Sequence, residues 1–107
     1  MSQFANTPEP PYYAVIFTSI KSHEDNEYEK MSKEILEILK NQEGFLGFES
    51  AREEIGITVS YWKNLDSIKK WRNNPLHKQA QKLGKNLWYE RYKVRIAKVE
   101  KEYEFIK

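Results

Sequence analysis

The sequence predicts an α+β domain whose elements run β-α-β-β-α-β, and three observations predict it. The stretch "YYAVIFTSI" is β-branched or aromatic almost throughout, as a strand buried on both faces would be. Two segments, from His23 and from Asn64, repeat their apolar residues at helical spacing. Residues 57–62 and 89–99 alternate apolar and polar residues as strands do, and 45–52, short and apolar at first, precedes the former across a polar turn.

Residues 1–11 carry Pro8, Pro10 and Pro11, which neither a helix interior nor a central strand tolerates, so an N-terminal arm is expected. The first strand covers 12–20. In the helical stretch that follows, Tyr28, Met31, Ile35, Ile38 and Leu39 form the apolar stripe. Glu24, Asp25 and Glu27 suit the positive end of its dipole, and Gly44 is the expected stop. "FLGFESAR", the polar turn "EEIG" and "ITVSYW" then make a hairpin.

Asn64 is an expected cap for a short helix presenting Leu65, Ile68 and Trp71 on one face. Asn74-Pro75 restarts it, since proline is favourable at the first helical position. Leu76, Ala80 and Leu83 form the second stripe, with Gly84 as its end. In the last strand, 89–99, Tyr92, Val94 and Ile96 point one way and Arg91, Lys93 and Arg95 the other. This is the split order of ferredoxin-like domains, with both helices on one face of a four-stranded antiparallel sheet. The other face has no helix to cover it, although the first strand is apolar on that side too. The simplest cover is the same face of a second copy, so a homodimer through the sheet faces is expected. Residues 101–107, with Tyr103 and Phe105 still alternating, form an extension that could reach across such a partner.

A chain of 107 residues is the size of one domain with one core. With no cysteine, thiolate nucleophiles, disulfides and zinc-thiolate or iron–sulfur sites are excluded. No apolar run reaches a membrane span, and "MSQFANTPEPP" lacks the regions of a signal peptide, so a cytoplasmic protein is expected. The net charge of +2 does not argue for nucleic acid. Its distribution is uneven: ten acidic and four basic residues lie between His23 and Glu54, eight basic and two acidic between Lys78 and Lys101. Tyr89 and Tyr92 lie among basic residues, but alternation separates Tyr92 from Arg91, Lys93 and Arg95, and a stacking platform needs both on one face. No nucleic-acid partner is expected.

His77, one turn into the second helical stretch beside Leu76, can serve as a general base if it faces a cavity, or it simply makes a local hydrogen bond at a helix start. His23, in a charged segment, reads as solvated. Trp62, Trp71 and Trp88 each close one element, and three converging indoles would be either core or the apolar lining of a ligand cavity. Two histidines 54 positions apart, without a carboxylate pattern around either, give no metal site.

The order of elements, with "GFLGFESAR" and "SYWKNLDSIKKWRNNPLHKQAQKLGKNLWYERYKVRIAKVE", resembles the antibiotic biosynthesis monooxygenase domain, and more narrowly its small bacillus-type members, over nearly all of residues 12–100. The resemblance implies a dimeric α+β barrel of two sheets packed face to face. It also implies a pocket in each subunit, with the second helix as one wall. Some members resemble cofactor-independent oxygenases that turn phenolic polyketides into quinones. Their site implies Ser67, Trp71, His77 and Arg91, with Ser67 and His77 in place of the usual asparagine and tyrosine. Others bind and degrade haem through an asparagine, a tryptophan and a histidine. Trp71 matches that tryptophan, but Val15 to Ser19 contains no asparagine and Gln81 stands where the iron ligand belongs, so haem is disfavoured. The expectation is a monooxygenase acting on a small aromatic or phenolic molecule without a cofactor. His77 is its base, Trp71 stacks on the substrate, Arg91 steadies the anion, and Ser67, Trp62, Trp88, Leu76 and Gln81 line the pocket. A non-catalytic dimeric ligand-binding or stress-related domain is the alternative.

Overall fold

The computed structural model describes residues 4–22 and 28–107, with the side chains at 86 and 87 not described. His23, Glu24, Asp25 and Glu27, the expected start of the first helix, lie outside the described residues. The elements are β1 (Tyr12–Lys21), α1 (Tyr28–Leu39), β2 (Phe45–Arg52), β3 (Gly56–Trp62), α2 (Leu65–Arg72), α3 (Pro75–Leu83), a π-helical turn (Gly84–Trp88) and β4 (Tyr89–Val99). The order is β-α-β-β-α-α-β, with the expected second helix split in two at Asn73 and Asn74.

Both asparagine caps form. The Asn64 side chain accepts from the Ser67 backbone N–H at 2.8 Å, and Asn74 accepts from Leu76 and His77 at 3.0 and 3.3 Å. Each satisfies donors that a helix start leaves orphaned. α3 ends at Leu83 with Gly84 next, as expected, but Gly84 does not turn the chain out of helical conformation. Its φ of −57° is right-handed, and the chain runs on into a wider π turn closed by the Tyr89 backbone N–H on the Gly84 carbonyl. Its missing side chain serves packing instead, because a Cβ there would lie 3.0 Å from the Tyr89 ring. Gly44 needs its freedom for conformation: φ is 81°, and a Cβ would overlap Ser67.

The four antiparallel strands lie in the order β2-β3-β1-β4. Tyr13, Val15, Phe17 and Ser19 of β1 stand opposite Trp62, Ser60, Thr58 and Gly56 of β3. On the other side Val15, Phe17 and Ser19 stand opposite Ile96, Val94 and Tyr92 of β4. These residues share the face the helices cover, where Leu39, Trp62, Ile68 and Trp71 form the core and Tyr13, Val15, Ile35 and Phe45 pack against it. The opposite face carries Ile16, Thr18 and Ile20 beside Val59, Ile57, Arg95, Lys93 and Arg91.

Part of that opposite face is covered by the chain itself. The Ala5 backbone N–H donates to Glu49 at 3.1 Å, Thr7 donates to the Tyr12 hydroxyl at 3.0 Å, and Tyr12 donates to Glu102. Ile20 and Ile57 remain exposed there, and beyond the end of β4 so do Tyr103, Phe105 and Ile106. Among the described residues no helix is long and apolar enough to cross a membrane.

Candidate functional site

Between the helix-facing side of the sheet and α1, α2 and α3 lies a cavity of about 580 Å³. One end is built on indoles. Trp62 is fully buried, donates its indole N–H to Ser60 at 2.9 Å, and stacks behind Trp71 with ring centres 6.4 Å apart. Trp71 in turn stacks on the His77 imidazole, with centres 4.5 Å apart and planes 16° from parallel. The break between α2 and α3 makes this stack possible: capping by Asn74 returns the chain so that the His77 ring lies over the preceding helix.

The His77 ring nitrogen Nδ1 lies 3.2 Å from the Trp71 carbonyl oxygen. A carbonyl only accepts, so Nδ1 carries the proton and the lone pair of the neutral ring falls on Nε2. Burial holds the imidazole below its ordinary value of 6.5, the nearby Arg72 charge acts in the same direction, and the bond to the Trp71 carbonyl opposes them. His77 is therefore a neutral, oriented base on the cavity wall near pH 7.

The other end is polar. A guanidinium N–H of Arg52 donates to Ser19, a residue 2% exposed. The guanidinium lies over Gly56, where any Cβ would overlap it. The Tyr89 hydroxyl donates to that of Tyr28 at 3.2 Å, and Phe17 meets Tyr89 and Tyr92 with ring centres 5.4 and 5.3 Å away. Burial, followed by the bond to Tyr28, raises the Tyr89 phenol above its usual range, while Arg52 pulls the other way. Tyr89 stays neutral and able to donate.

Of the residues expected from sequence, Trp71, His77, Gln81 and Trp88 line the cavity. Four expected there stand elsewhere. Trp62 is core behind Trp71. Ser67, 6% exposed, is packed against Gly44 at the start of α2. Leu76 lies in the first turn of α3, outside the lining residues. Arg91 is placed on the opposite face of the sheet, because it pairs with Ile20 while its neighbour Tyr92 pairs with Ser19 on the cavity side. Strand alternation cannot bring both inward. Sequence reasoning missed Arg52, Arg72, Lys85 and the Tyr28–Tyr89 pair as lining groups. The signal for Arg52 was available, since β2 alternates Phe48, Ser50, Arg52 and all three share the cavity side.

A family model described as antibiotic biosynthesis monooxygenase matches residues 11–83. The uncharacterised protein YqjZ of Bacillus subtilis is 47% identical over 104 residues, covering 95% of this chain and 91% of that protein. A mutant of SnoaB, a cofactor-independent oxygenase from Streptomyces nogalater, matches with a TM-score of 0.72 at 12% identity, covering 85% of this chain and 95% of that one. A conserved protein from Methanosarcina mazei Go1 matches with a TM-score of 0.72 at 16% identity, covering 81% of this chain and 91% of that one. At such identities the two structures establish the fold.

Proposed function

Because the chain belongs to the antibiotic biosynthesis monooxygenase family, we propose that its cavity takes a small phenolic or enolisable aromatic molecule and oxidises it with dioxygen, without a cofactor. One observation carries this reading: a neutral imidazole, fixed in one tautomer and stacked on an indole, forms part of the wall of a largely apolar cavity. The family match and the fold shared with SnoaB support it.

In this mechanism His77 Nε2 removes a proton from the activated C–H of an anthrone-like substrate. The resulting carbanion, delocalised as an enolate, gives one electron to dioxygen, and the two radicals combine with formation of a C–O bond. His77 returns its proton to the peroxide anion to give a hydroperoxide; Nε2 then takes the second C–H proton as the O–O bond breaks, and passes it to the departing hydroxide, which leaves as water. A CH2 group becomes a carbonyl, one oxygen atom enters the product, and the substrate supplies all four electrons. Trp71 supports the His77 ring from one side and offers an apolar edge to the substrate. Arg91, on the far face of the sheet, takes no part.

The test is oxygen uptake with an anthrone. We expect the His77→Ala protein to be slower by about 100-fold or more, the usual contribution of a positioned base. Equal rates for the two proteins overturn the assignment.

Haem binding is the second reading. It is favoured by the bond from Nδ1 to a backbone carbonyl, which is how iron-ligating histidines are commonly held. The residues do not fit haem degradation, since β1 carries no asparagine from Val15 to Ser19 and Gln81 lines the cavity without an imidazole. A Soret shift on haem titration that His77→Ala abolishes supports this reading, and no shift removes it.

The functional unit in this proposal is a homodimer. Exposed Ile20 and Ile57 on the helix-free face, with Tyr103, Phe105 and Ile106 beyond it, present apolar surface that a second copy would cover.

A further inference from the structure

The cationic groups of the cavity suggest what its ligand must carry. Arg52, Arg72 and Lys85 line it, and among the described lining residues there is no aspartate or glutamate. Among the described residues the ion pairs are Lys40 with Glu37 and Lys70 with Glu43, so none neutralises Arg52. The hydrogen-bond partner of its guanidinium among the described residues is the Ser19 hydroxyl. A guanidinium has five N–H donors, so most of its hydrogen-bonding capacity is left over.

Two features fix this guanidinium in place. Ser19, nearly fully buried, anchors it from β1, and Gly56 of β3 leaves the floor on which it lies. Both stand in line with Arg52 across the sheet, since Ser19 pairs with Gly56 and Gly56 with Arg52. The Tyr89 phenol, kept neutral by burial, is close enough to feel the Arg52 charge.

The distance between the two ends is set by α3. His77 lies near its start, while Gly84, seven positions on, packs against the Tyr89 ring at the Arg52 end. Seven residues of helix rise roughly 10 Å. Two or three fused rings are about that long.

Resting on the reading of the cavity as an aromatic-ligand site, we propose that Arg52 is its anion-recognition residue: the ligand is an aromatic carboxylate whose carboxyl group pairs with the Arg52 guanidinium while its far ring lies against His77 and Trp71. A planar guanidinium matches a carboxylate through two parallel N–H···O bonds, which favours this anion over a more diffuse one. The surrounding Arg72 and Lys85 add a positive field that draws such a ligand in.

The test uses quenching of tryptophan fluorescence by 9,10-anthraquinone-2-carboxylate and by its neutral 2-carboxamide, on the full-length protein. The wild type should bind the carboxylate more tightly by about 10-fold or more, as expected for loss of a charge-assisted pair. In Arg52→Gln most of that preference should be lost, the carboxylate weakening far more than the carboxamide, with only the small residue that the field of Arg72 and Lys85 leaves. Arg52→Lys should retain part of the preference, and Lys85→Gln most of it. Thermal unfolding of each variant guards against a folding defect, and carboxamide binding that persists in each variant shows the cavity is intact. Equal binding of both probes by the wild type overturns the role of Arg52 and leaves the aromatic site standing. No binding of either probe overturns both. Haem is distinguished by its Soret band, so a ligand preference for haem propionates would appear in that channel and not in the anthraquinone ratio.

Discussion

The two ends of the cavity are built by different physics. At one end Trp62, Trp71 and His77 form a stack of rings whose position follows from close packing, with Trp62 fully buried and Trp71 8% exposed. At the other, Arg52 and the phenols of Tyr28 and Tyr89 are held by hydrogen bonds and remain within reach of solvent. Packing fixes a ring in one orientation because an interior as dense as a crystal leaves few alternatives. Hydrogen bonds to a partly solvated group fix it less firmly, and leave donors over for a ligand. The first end suits a reaction that needs a base in one place, and the second suits recognition of a charge.

Substitutions should separate the ends by what they damage. The largest effect is expected for Trp62→Ala, which empties the middle of the core and should cost about 3–5 kcal/mol in denaturant unfolding. A loss below about 1 kcal/mol would show that the stack is not held by packing. Next comes His77→Ala. It should leave unfolding within about 1 kcal/mol of the wild type, while oxygen uptake with an anthrone falls about 100-fold. A comparable loss of stability would make His77 a packing residue like Trp62.

The pH dependence sharpens the same contrast. Burial lowers the folded His77 value beneath the 6.5 of the free imidazole. The neutral base should therefore persist below pH 6.5, and the acid limb of the rate profile should be centred under that value and be absent in His77→Ala. Stability follows the same sign: the unfolded imidazole takes up its proton first, so the contribution of neutral His77 is complete above pH 6.5 and is lost as the pH falls through the lower folded value. An acid limb centred above 6.5 would mean that a negative charge, not burial, controls the ring.

A smaller effect is expected at the polar end. Tyr89→Phe removes the hydroxyl that donates to Tyr28 at 3.2 Å and should cost about 0.5–1.5 kcal/mol by thermal or denaturant unfolding. A cost as large as that of Trp62→Ala would erase the distinction between the two ends.

How much of this was legible in the sequence also differs between the ends. The limits of β4 follow from alternation, and the starts of α2 and α3 follow from asparagine caps, which are local devices with local signals. The presence of Trp71, His77, Gln81 and Trp88 at the cavity follows from helical spacing and the family resemblance. Which indole fills the core and which lines the cavity does not, since Trp62 and Trp71 differ only in depth within one stack. Gly84 follows the last residue of α3, as a glycine commonly does, but its other task, making room for the Tyr89 ring, has no local signal. Arg91 seemed available for the site until pairing fixed which side of β4 faces the helices. Alternation along β2 puts Arg52 on the cavity side, but its anchoring depends on three strands at once, with Ser19, Gly56 and Arg52 aligned across the sheet, and no window along the chain contains that alignment.

The division of labour between the ends is tested most directly by a crystal structure of the protein with 9,10-anthraquinone-2-carboxylate bound. The account predicts the far quinone ring against Trp71 and His77, with His77 Nδ1 still on the Trp71 carbonyl, and the carboxylate paired with Arg52 in the plane of its guanidinium. A ligand lying with its carboxylate beside His77, or seated outside the cavity while the side chains of α1 and α3 close it, would contradict that account.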